Sequence, residues 1–252
     1  MNILLTNDDG IYFEGMWALY RHLMERHRVE VVAPDRERSA VGHGITLNNP
    51  IRAYQVQVNG GYQGYAVTGT PADCVKLGIL ELMPRRPDMV ISGINPGANV
   101  GININYSGTV AAAKEAALFG VPAIAVSING RASVRYDDAA RFTLKLTAII
   151  SERGLPPGTF LNVNIPDIPL DRTAGIRFSR QGIPLSSDYF EMRVDPRNQA
   201  YYWQGCDTQR FDNNPDVDGK ALESNYISIT PIKCDMTDYE VIEKMREWEK
   251  DL

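Results

Sequence analysis

The stretch ILLTNDDG, residues 3–10, places a short apolar run directly before two adjacent carboxylates. Residues 3–5 have the composition of a buried β-strand, whereas residues 6–10 are polar and favour a turn. Asp8 and Asp9 therefore lie side by side at the end of the first predicted strand. Because like charges this close repel each other, the pair indicates either a cation or donor that offsets them, or an ordinary solvated turn.

The alternation of strand-like runs and helix-like segments continues to about residue 164. Strands are predicted at residues 28–34, 88–93, 122–128 and 159–166, and helices at residues 15–26, 72–82, 110–119 and 138–152. This order predicts an α/β fold with a mainly parallel sheet and helices on both faces. Ligands of such sheets bind beyond the carboxyl ends of the strands, so the loops after the strands are the expected place for a site.

Two parts of the chain depart from this alternation. Residues 51–67 alternate in polarity around a Gly-Gly turn, which predicts an antiparallel hairpin inserted into the α/β domain. Beyond Pro166 the composition shifts to prolines, aromatic residues and charges. We therefore predict a domain at residues 1–166, followed at residues 167–252 by an extended β-arm and a terminal helix.

The predicted arm is rich in Tyr, Trp and Phe, and this composition suits either an oligomer interface or a cover for the protein's own core. The final helix is predicted at residues 238–248. Its apolar residues share one face, so we expect this helix to dock rather than to project freely.

The composition is that of a soluble globular protein, with 44% hydrophobic and 23% charged residues. A net charge of −5 and the lack of a basic block argue against binding to a nucleic-acid polymer, but leave a small phosphorylated ligand open. Neither a signal peptide nor a membrane-length apolar run is visible, and the three scattered cysteines fit incidental thiols in a reducing compartment. We therefore expect a cytoplasmic protein without a membrane partner.

Four segments converge on the predicted strand ends: residues 7–10, 34–44, 92–101 and 106–117. The first three offer two carboxylates, a hydroxyl and an amide, from Asp8, Asp9, Ser39 and Asn95. Oxygen ligands of this kind suit Mg²⁺, Mn²⁺ or Ca²⁺ rather than zinc or copper. A cation held by so few protein groups can polarise a phosphoryl group and lower the pKa of its bound water towards about 7.

The geometry of the carboxylate pair leaves two possibilities. In a straight strand, Asp8 and Asp9 point to opposite faces. Both reach one ion only if the backbone turns at that point, which Gly10 permits. Otherwise one carboxylate binds the metal while the other orients a ligand or acts as a base.

Ser107, Gly108 and Thr109 precede an alanine-rich helix and suggest the other half of a phosphate site. Glycine allows close backbone approach, and the unpaired N–H groups at a helix start attract an anion. The two hydroxyls either cap the helix or bind phosphate. Each motif alone is typical of an ordinary turn, cap or loop, so it is their agreement on one rim that favours a site.

Three further residues of the second loop remain ambiguous. His43 is either an acid–base group or a solvated loop histidine. Arg36 and Arg38 have the charge to contact phosphate, but the sequence does not locate them.

The chain resembles the SurE family of metal-dependent nucleotidases, also called survival proteins. The resemblance rests on five blocks in the same order: ILLTNDDG (3–10), APDRERSAVG (33–42), AVTGTPADCV (66–75), DMVISGINPGANVG (88–101) and YSGTVAAAKEAA (106–117). It implies a Rossmann-like α/β domain, one divalent cation per subunit, and hydrolysis of nucleoside 5′-monophosphates. Activity on 3′-nucleotides and short polyphosphate is also implied.

The same resemblance implies roles for particular residues. By position, the metal ligands are Asp8, Asp9, Ser39 and Asn95, and residues 107–109 lie beside the phosphate. In the family the C-terminal arm exchanges between subunits, which implies a homodimer or homotetramer.

Our hypothesis is a phosphomonoesterase in which water attacks the phosphorus in line, with Asp8, Asp9 and Asn95 as catalytic residues. A phosphorylation-sensing receiver also has an acidic pair after its first strand, but this chain lacks the strand-end Asp and Lys of a receiver and is too long. The remaining alternative is a non-hydrolytic, metal-dependent nucleotide-binding regulator. Only turnover separates that alternative from an enzyme.

Overall fold

The structure is a computed structural model that describes residues 1–58, 60–130, 135–183, 188–206, 211 and 213–251. Within these ranges the strands are β1 Asn2–Thr6, β2 Arg28–Pro34, β3 Ala53–Val58, β4 Tyr62–Val67, β5 Met89–Pro96, β6 Ala123–Asn129, β7 Thr159–Pro166, β8 Gly175–Phe178, β9 Asp188–Val194, β10 Ala200–Cys206 and β11 Tyr226–Lys233. The α-helices are α1 Glu14–Leu23, α2 Pro71–Leu77, α3 Gly108–Leu118, α4 Tyr136–Arg153, α5 Asp218–Glu223 and α6 Tyr239–Met245. The predicted α/β fold is confirmed.

A nine-stranded sheet in the order β3-β4-β2-β1-β5-β6-β7-β11-β8 organises the described residues. Its centre, from β4 to β7, is parallel, whereas β3 and β11 run antiparallel to β4 and β7. The chain leaves β1 to form β2 on one side, and later returns to form β5 on the other side. The carboxyl ends of β1 and β5 therefore mark a topological switch point, where open parallel sheets bind their ligands.

Helices cover both faces of the sheet. On one face α1 and α4 contribute Trp17 and Phe142 to a buried apolar cluster. On the other face α2 and α3 pack around a second cluster that contains Val75. The adjacent residues Leu4 and Leu5 of β1 belong to different clusters, because successive side chains of a strand point to opposite faces.

The start of α2 agrees with the sequence pattern. Thr70 is the N-cap and Pro71 is the first helical residue, and Thr70 and Asp73 form a capping box. The α-helix ends at Leu77, earlier than predicted, and residues 78–82 continue as a π-helical turn. No helix among the described residues is long and apolar enough to cross a membrane.

The chain beyond Pro166 is only partly an arm. Strand β11 pairs antiparallel with β7, and β8 pairs with β11, so both extend the main sheet. Ile227 and Ile229 of β11 are buried in the same cluster as β1. Among the described residues beyond Pro166, β9 and β10 form a separate two-stranded hairpin, and α6 follows the last strand of the main sheet.

The expectation that the last helix docks is wrong for the isolated chain. The apolar residues of its predicted face, Val241, Ile242, Met245 and Trp248, are 40–58% exposed. Helical periodicity identifies which face is apolar, but it does not identify the surface that covers this face.

Trp17 links α1 to the rest of the fold by packing and by a hydrogen bond. The side chain is fully buried, and its Nε1 donates to the Ile11 carbonyl at 2.6 Å. Its ring also stacks on Tyr62 of β4, with the centroids 5.6 Å apart. These contacts hold α1 beside the β1 turn that carries the acidic pair.

Replacing Trp17 with phenylalanine removes the donor to Ile11 and part of the stacked ring. We expect the free energy of unfolding to fall by about 2–4 kcal/mol, because a buried acceptor loses its partner and a small cavity forms. Chemical denaturation measures this change. The control Tyr54→Phe alters an exposed ring on β3, outside the proposed interface, and should change stability by less than about 0.5 kcal/mol. Equal effects of the two substitutions would contradict the role of Trp17.

Candidate active site

A tight turn after β1 brings the two carboxylates to the switch point. Asn7 closes this turn, because its Nδ2 donates to the Gly10 carbonyl at 3.0 Å and its Oδ1 accepts from the Gly10 N–H at 3.2 Å. Gly10 has a φ of +100°, and a Cβ there would lie 3.0 Å from the Arg36 carbonyl carbon. Glycine therefore suits both the backbone conformation and the close approach. The backbone turn that a shared ion requires is present at Asp8 and Asp9.

Asp8 is buried against the start of α3. The Thr109 hydroxyl donates to its Oδ1, and a Cβ on Gly108 would lie only 2.8 Å from the Asp8 Cβ. Burial raises the pKa of Asp8, while the Thr109 hydroxyl and nearby backbone N–H groups, including those of Thr109 and Gly108, act to lower it. The start of α3 therefore orients a carboxylate of the protein itself.

Asp9 is the carboxylate whose charge is least compensated by the protein. Its Oδ2 is buried and accepts no hydrogen bond from the described residues. Burial raises the pKa of Asp9 to about 8, and the charges of Asp8 and Glu37 add to this rise. The carboxyl group is therefore mostly protonated at neutral pH unless positive charge comes close.

Ser39 reaches the site from the loop that follows β2. The N–H of the preceding residue, Arg38, donates to the Asp8 carbonyl at 2.7 Å, which holds this loop against the β1 turn. The Ser39 hydroxyl donates to Glu37 Oε1 at 2.7 Å. Ser39 is exposed, so its position depends on the loop backbone rather than on packing of its side chain.

Asn95 lies at the end of β5, and its Nδ2 donates to the Gly97 carbonyl at 2.7 Å. The loop that follows is fixed by Asn99, which the sequence analysis did not single out. The Asn99 N–H donates to Asn164 Oδ1 at 2.8 Å, and its Nδ2 donates to Ser127 Oγ at 2.9 Å. Buried side chains on β6 and β7 therefore support the loop from below.

A cavity of about 600 Å³ opens beside these side chains. It is lined by Asp8, Ser39, Ala40, Asn95, Asn99, Asn103, Tyr106, Ser107, Gln204 and Gly205. The predicted site residues in this lining are Asp8, Ser39, Asn95 and Ser107. Within the described part of the chain, Asp9, Gly108 and Thr109 are not among the lining residues, and the last two contact Asp8 instead.

The two hydroxyls at the start of α3 do different things. Ser107 is the N-cap, because its Oγ accepts from the Val110 N–H at 3.2 Å. Thr109 donates to Asp8. The sequence is compatible with either capping or phosphate binding by these hydroxyls. In the structure the Ser107 hydroxyl caps the helix and the Thr109 hydroxyl supports the Asp8 carboxylate. Ser107 also lines the cavity, so it is the hydroxyl of the two that a ligand there can reach.

The basic residues of the second loop point elsewhere. Arg38 Nη2 donates to the Thr68 carbonyl at 3.2 Å and lies 3.7 Å from Asp35 Oδ1. His43 Nε2 lies 2.7 Å from Glu115 Oε2, so His43 is not a freely solvated loop side chain. Neither these two residues nor Arg36 is among those that line the cavity.

The cavity also contains side chains that the sequence did not suggest. Tyr106 lies inside a quoted block, directly before the helix cap, and is 57% exposed. Gln204 and Gly205 belong to β10, far along the chain, and no local pattern places that strand on this rim.

The donor set fits a hard divalent cation. Among the described residues no three His, Cys, Asp or Glu side chains gather as a metal site. A cation here would therefore rely on Asp8 and Asp9 together with the neutral oxygens of Ser39 and Asn95, which suit Mg²⁺ or Mn²⁺. The Asp9 Oδ2, which has no hydrogen-bond partner in the described part of the chain, and the raised pKa of Asp9 agree with a neighbouring positive charge.

Comparison with known proteins connects this site to one family. The family model described as survival protein SurE matches residues 3–187. Proteins named 5′-nucleotidase SurE from Desulfatibacillum aliphaticivorans and Syntrophobacter fumaroxidans are 57% and 49% identical over 248 residues, covering 98% of this chain and 98% and 99% of their own. The crystal structure of the SurE protein from Aquifex aeolicus has a TM-score of 0.86 at 36% identity, covering 99% of this chain and 100% of its own. The chain belongs to the SurE family of survival proteins.

Proposed function

We propose that this protein is a divalent-metal-dependent 5′-nucleotidase that hydrolyses nucleoside 5′-monophosphates to nucleoside and phosphate. The observation that carries the proposal is the adjacent pair of buried Asp8 and half-buried Asp9 at the switch point of the sheet, with an Asp9 oxygen that has no hydrogen-bond partner among the described residues. The 5′-nucleotidase activity for which the relatives are named agrees with this chemistry. The substrate range includes 3′-nucleotides and short polyphosphate as further candidates.

In this proposal Asp8, Asp9, Ser39 and Asn95 hold one Mg²⁺ or Mn²⁺, with Ca²⁺ as an alternative. When bound, the cation polarises the phosphoryl group and lowers the pKa of a coordinated water. Asp9 must lose its proton to act as a ligand, because burial and the neighbouring charges raise its pKa to about 8.

The protein itself positions the other reacting groups. Thr109 and the N–H groups at the start of α3 keep the Asp8 carboxylate in one orientation. Ser107 lies on the cavity wall at the positive end of the α3 dipole, where a phosphate oxygen is stabilised. Asp8 or Asp9 orients the attacking water, and the nucleoside oxygen leaves on the opposite side of the phosphorus.

We also propose a homodimer or homotetramer that forms through the C-terminal part. Residues 1–166 supply the proposed metal and phosphate ligands, and the β9–β10 hairpin and α6 within residues 167–252 form the interface. The hairpin exposes Phe190 at 67% and Trp203 at 60%. Apolar surface of this kind commonly marks a contact with another chain.

We place the protein in the cytoplasm, where nucleoside monophosphates are turned over. The free thiols of Cys74 and Cys234 suit this reducing compartment.

Phosphate release from a panel of nucleoside 5′-monophosphates with Mg²⁺ or Mn²⁺ tests the activity. We expect release that EDTA abolishes and that Asp9→Asn lowers by at least about 100-fold in kcat/KM, because even outer partners of a metal contribute 10–100-fold. The control Asp171→Asn changes an exposed carboxylate and should leave release unchanged. Nucleotide binding without release from any substrate would assign the protein to the non-hydrolytic regulators instead.

Cation binding should expel a proton from the acidic pair. Because the pKa of Asp9 is raised to about 8, Mg²⁺ binding at pH 7 should release about one proton, and at pH 9 much less. Calorimetric titrations in buffers of different ionisation enthalpy measure this number. Asp9→Asn should lower the release at pH 7 by most of that proton, and an unchanged value would contradict the assignment.

The same raised pKa affects stability in the metal-free protein. The neutral Asp9 carboxyl is favoured by the fold, so its contribution is complete below the unfolded pKa near 4 and is lost as the pH rises through about 8. Thermal unfolding should therefore show a loss of stability over this range that Asp9→Asn reduces.

Light scattering after gel filtration tests the assembly. Ile242→Asp on α6 should shift the protein towards a smaller species, because a charge in a buried apolar interface is unfavourable. Ile149→Asp, on the exposed side of α4, is the matched control and should leave the mass unchanged. A wild-type protein that is monomeric at micromolar concentration would contradict the proposed interface.

A further inference from the structure

We propose that His43 is a positioning residue whose bond to Glu115 holds the loop after β2 so that Ser39 faces the cavity. The inference rests on the proposed function, because Ser39 matters there as a cation ligand. It gives a role to a histidine that neither lines the cavity nor lies free in solvent.

The loop that carries Ser39 has little internal structure to define its shape. Residues 35–52 connect β2 to β3 without a helix or strand, which is long for a connection in a compact domain. Its form must therefore come from contacts with neighbouring elements. The backbone contacts closest to Ser39 are the Arg38 N–H on the Asp8 carbonyl at 2.7 Å and the Gly42 N–H on the Tyr106 carbonyl at 2.9 Å.

The residue next to Ser39 holds an unfavourable backbone conformation. Ala40 has a φ of +56°, a region that a residue with a Cβ seldom occupies. Such a conformation persists only where the surrounding contacts over-determine it. If those contacts weaken, Ala40 relaxes and Ser39 turns away from the cavity.

The side chain of His43 supplies such a contact from beyond Gly42. Its Nε2 lies 2.7 Å from Oε2 of Glu115, whose side chain is only 7% exposed. Lys76 Nζ lies 3.4 Å from the other oxygen, Glu115 Oε1, so the carboxylate is held from two sides. A hydrogen bond to a buried charged group is stronger than a neutral one, so this contact is a firm attachment of the loop to α3.

The geometry separates His43 from the reacting groups. Glu115 lies eight residues beyond Ser107 on the same helix, which corresponds to about 12 Å along its axis. The ring of His43 is directed to that second position, and not to the carboxylate pair. His43 therefore acts on the site through the loop backbone and not by proton transfer to substrate.

Calorimetric titration of the full-length protein with Mn²⁺ alone tests this role. We expect His43→Ala to weaken Mn²⁺ binding by about tenfold, because a displaced supporting group commonly costs 10–100-fold in metal affinity. His43→Gln keeps a donor for Glu115 and should bind Mn²⁺ within about threefold of the wild type. Lys145→Met removes an exposed cation from α4, away from this loop, and should bind as the wild type does.

Hydrogen exchange in the metal-free protein supplies a readout that needs no cation. The backbone amides of residues 39–44 should exchange about tenfold faster in His43→Ala, and at the wild-type rate in His43→Gln. The Thr46 amide donates to Asp73 Oδ1 at 3.0 Å and should exchange at the wild-type rate in both variants. Adding Ala40→Gly to His43→Ala should restore most of the Mn²⁺ affinity, because glycine occupies a positive φ without the steric penalty. If the double variant still binds Mn²⁺ weakly, the argument that relaxation of the Ala40 backbone displaces Ser39 is overturned.

The outcomes distinguish this inference from the proposed function. A wild type that does not bind Mn²⁺ removes the cation proposal, while the exchange rates still decide whether His43 holds the loop. Wild-type affinity and exchange in His43→Ala would overturn the inference. His43→Ala and His43→Gln could also lose kcat equally at saturating Mn²⁺ while their Mn²⁺ affinity stays unchanged. That result would overturn the positioning role in favour of proton transfer by the imidazole.

Discussion

The packing of the Asp8 carboxylate against the first turn of α3 supports the other parts of the site. It joins the end of β1 to a helix that begins far along the chain, and it needs both the Thr109 hydroxyl and the missing Cβ of Gly108. Burial alone would favour the neutral carboxyl, and the donors at the helix start offset part of that effect. With Asp8 fixed, the Arg38 N–H can bind its carbonyl and hold the second loop beside it.

The fold also keeps an electrostatic cost at this place. Buried Asp8 lies next to half-buried Asp9, Glu37 lies near them, and one oxygen of Asp9 has no donor among the described residues. A protein selected for stability alone would avoid this arrangement, since unpaired buried charge is unfavourable. A divalent cation bound there would remove the cost and would supply the chemistry for phosphate ester hydrolysis, so the unfavourable pair and the proposed function would have one explanation.

The remaining parts of the cavity come from segments of very different character. Rigid strand ends carry Asp8 and Asn95, whereas an irregular loop carries Ser39 and a projecting hairpin carries Gln204. The start of α3 holds Asp8 at the end of β1, whereas the loop that carries Ser39 depends on separate attachments such as the contact between His43 and Glu115. The hairpin and α6 expose large apolar side chains, so assembly with further copies of the chain would determine how the outer wall of the cavity is finally covered.

Local sequence patterns were sufficient to predict the α/β fold, the bounds of β7, and the placement of Asp8, Asp9 and Asn95 at strand ends. Strand periodicity, turn residues and helix caps act over a few neighbouring positions, so they can be recognised in the sequence itself. Four contacts were decided by the tertiary structure alone. They are the bond between Thr109 and Asp8, the pairing of β11 with β7, the contact of His43 with Glu115, and the position of Gln204 on the cavity wall. Each joins segments far apart in the chain, and such contacts depend on how whole elements pack. The same reason explains α6, because its sequence identified an apolar face but not a surface to cover it.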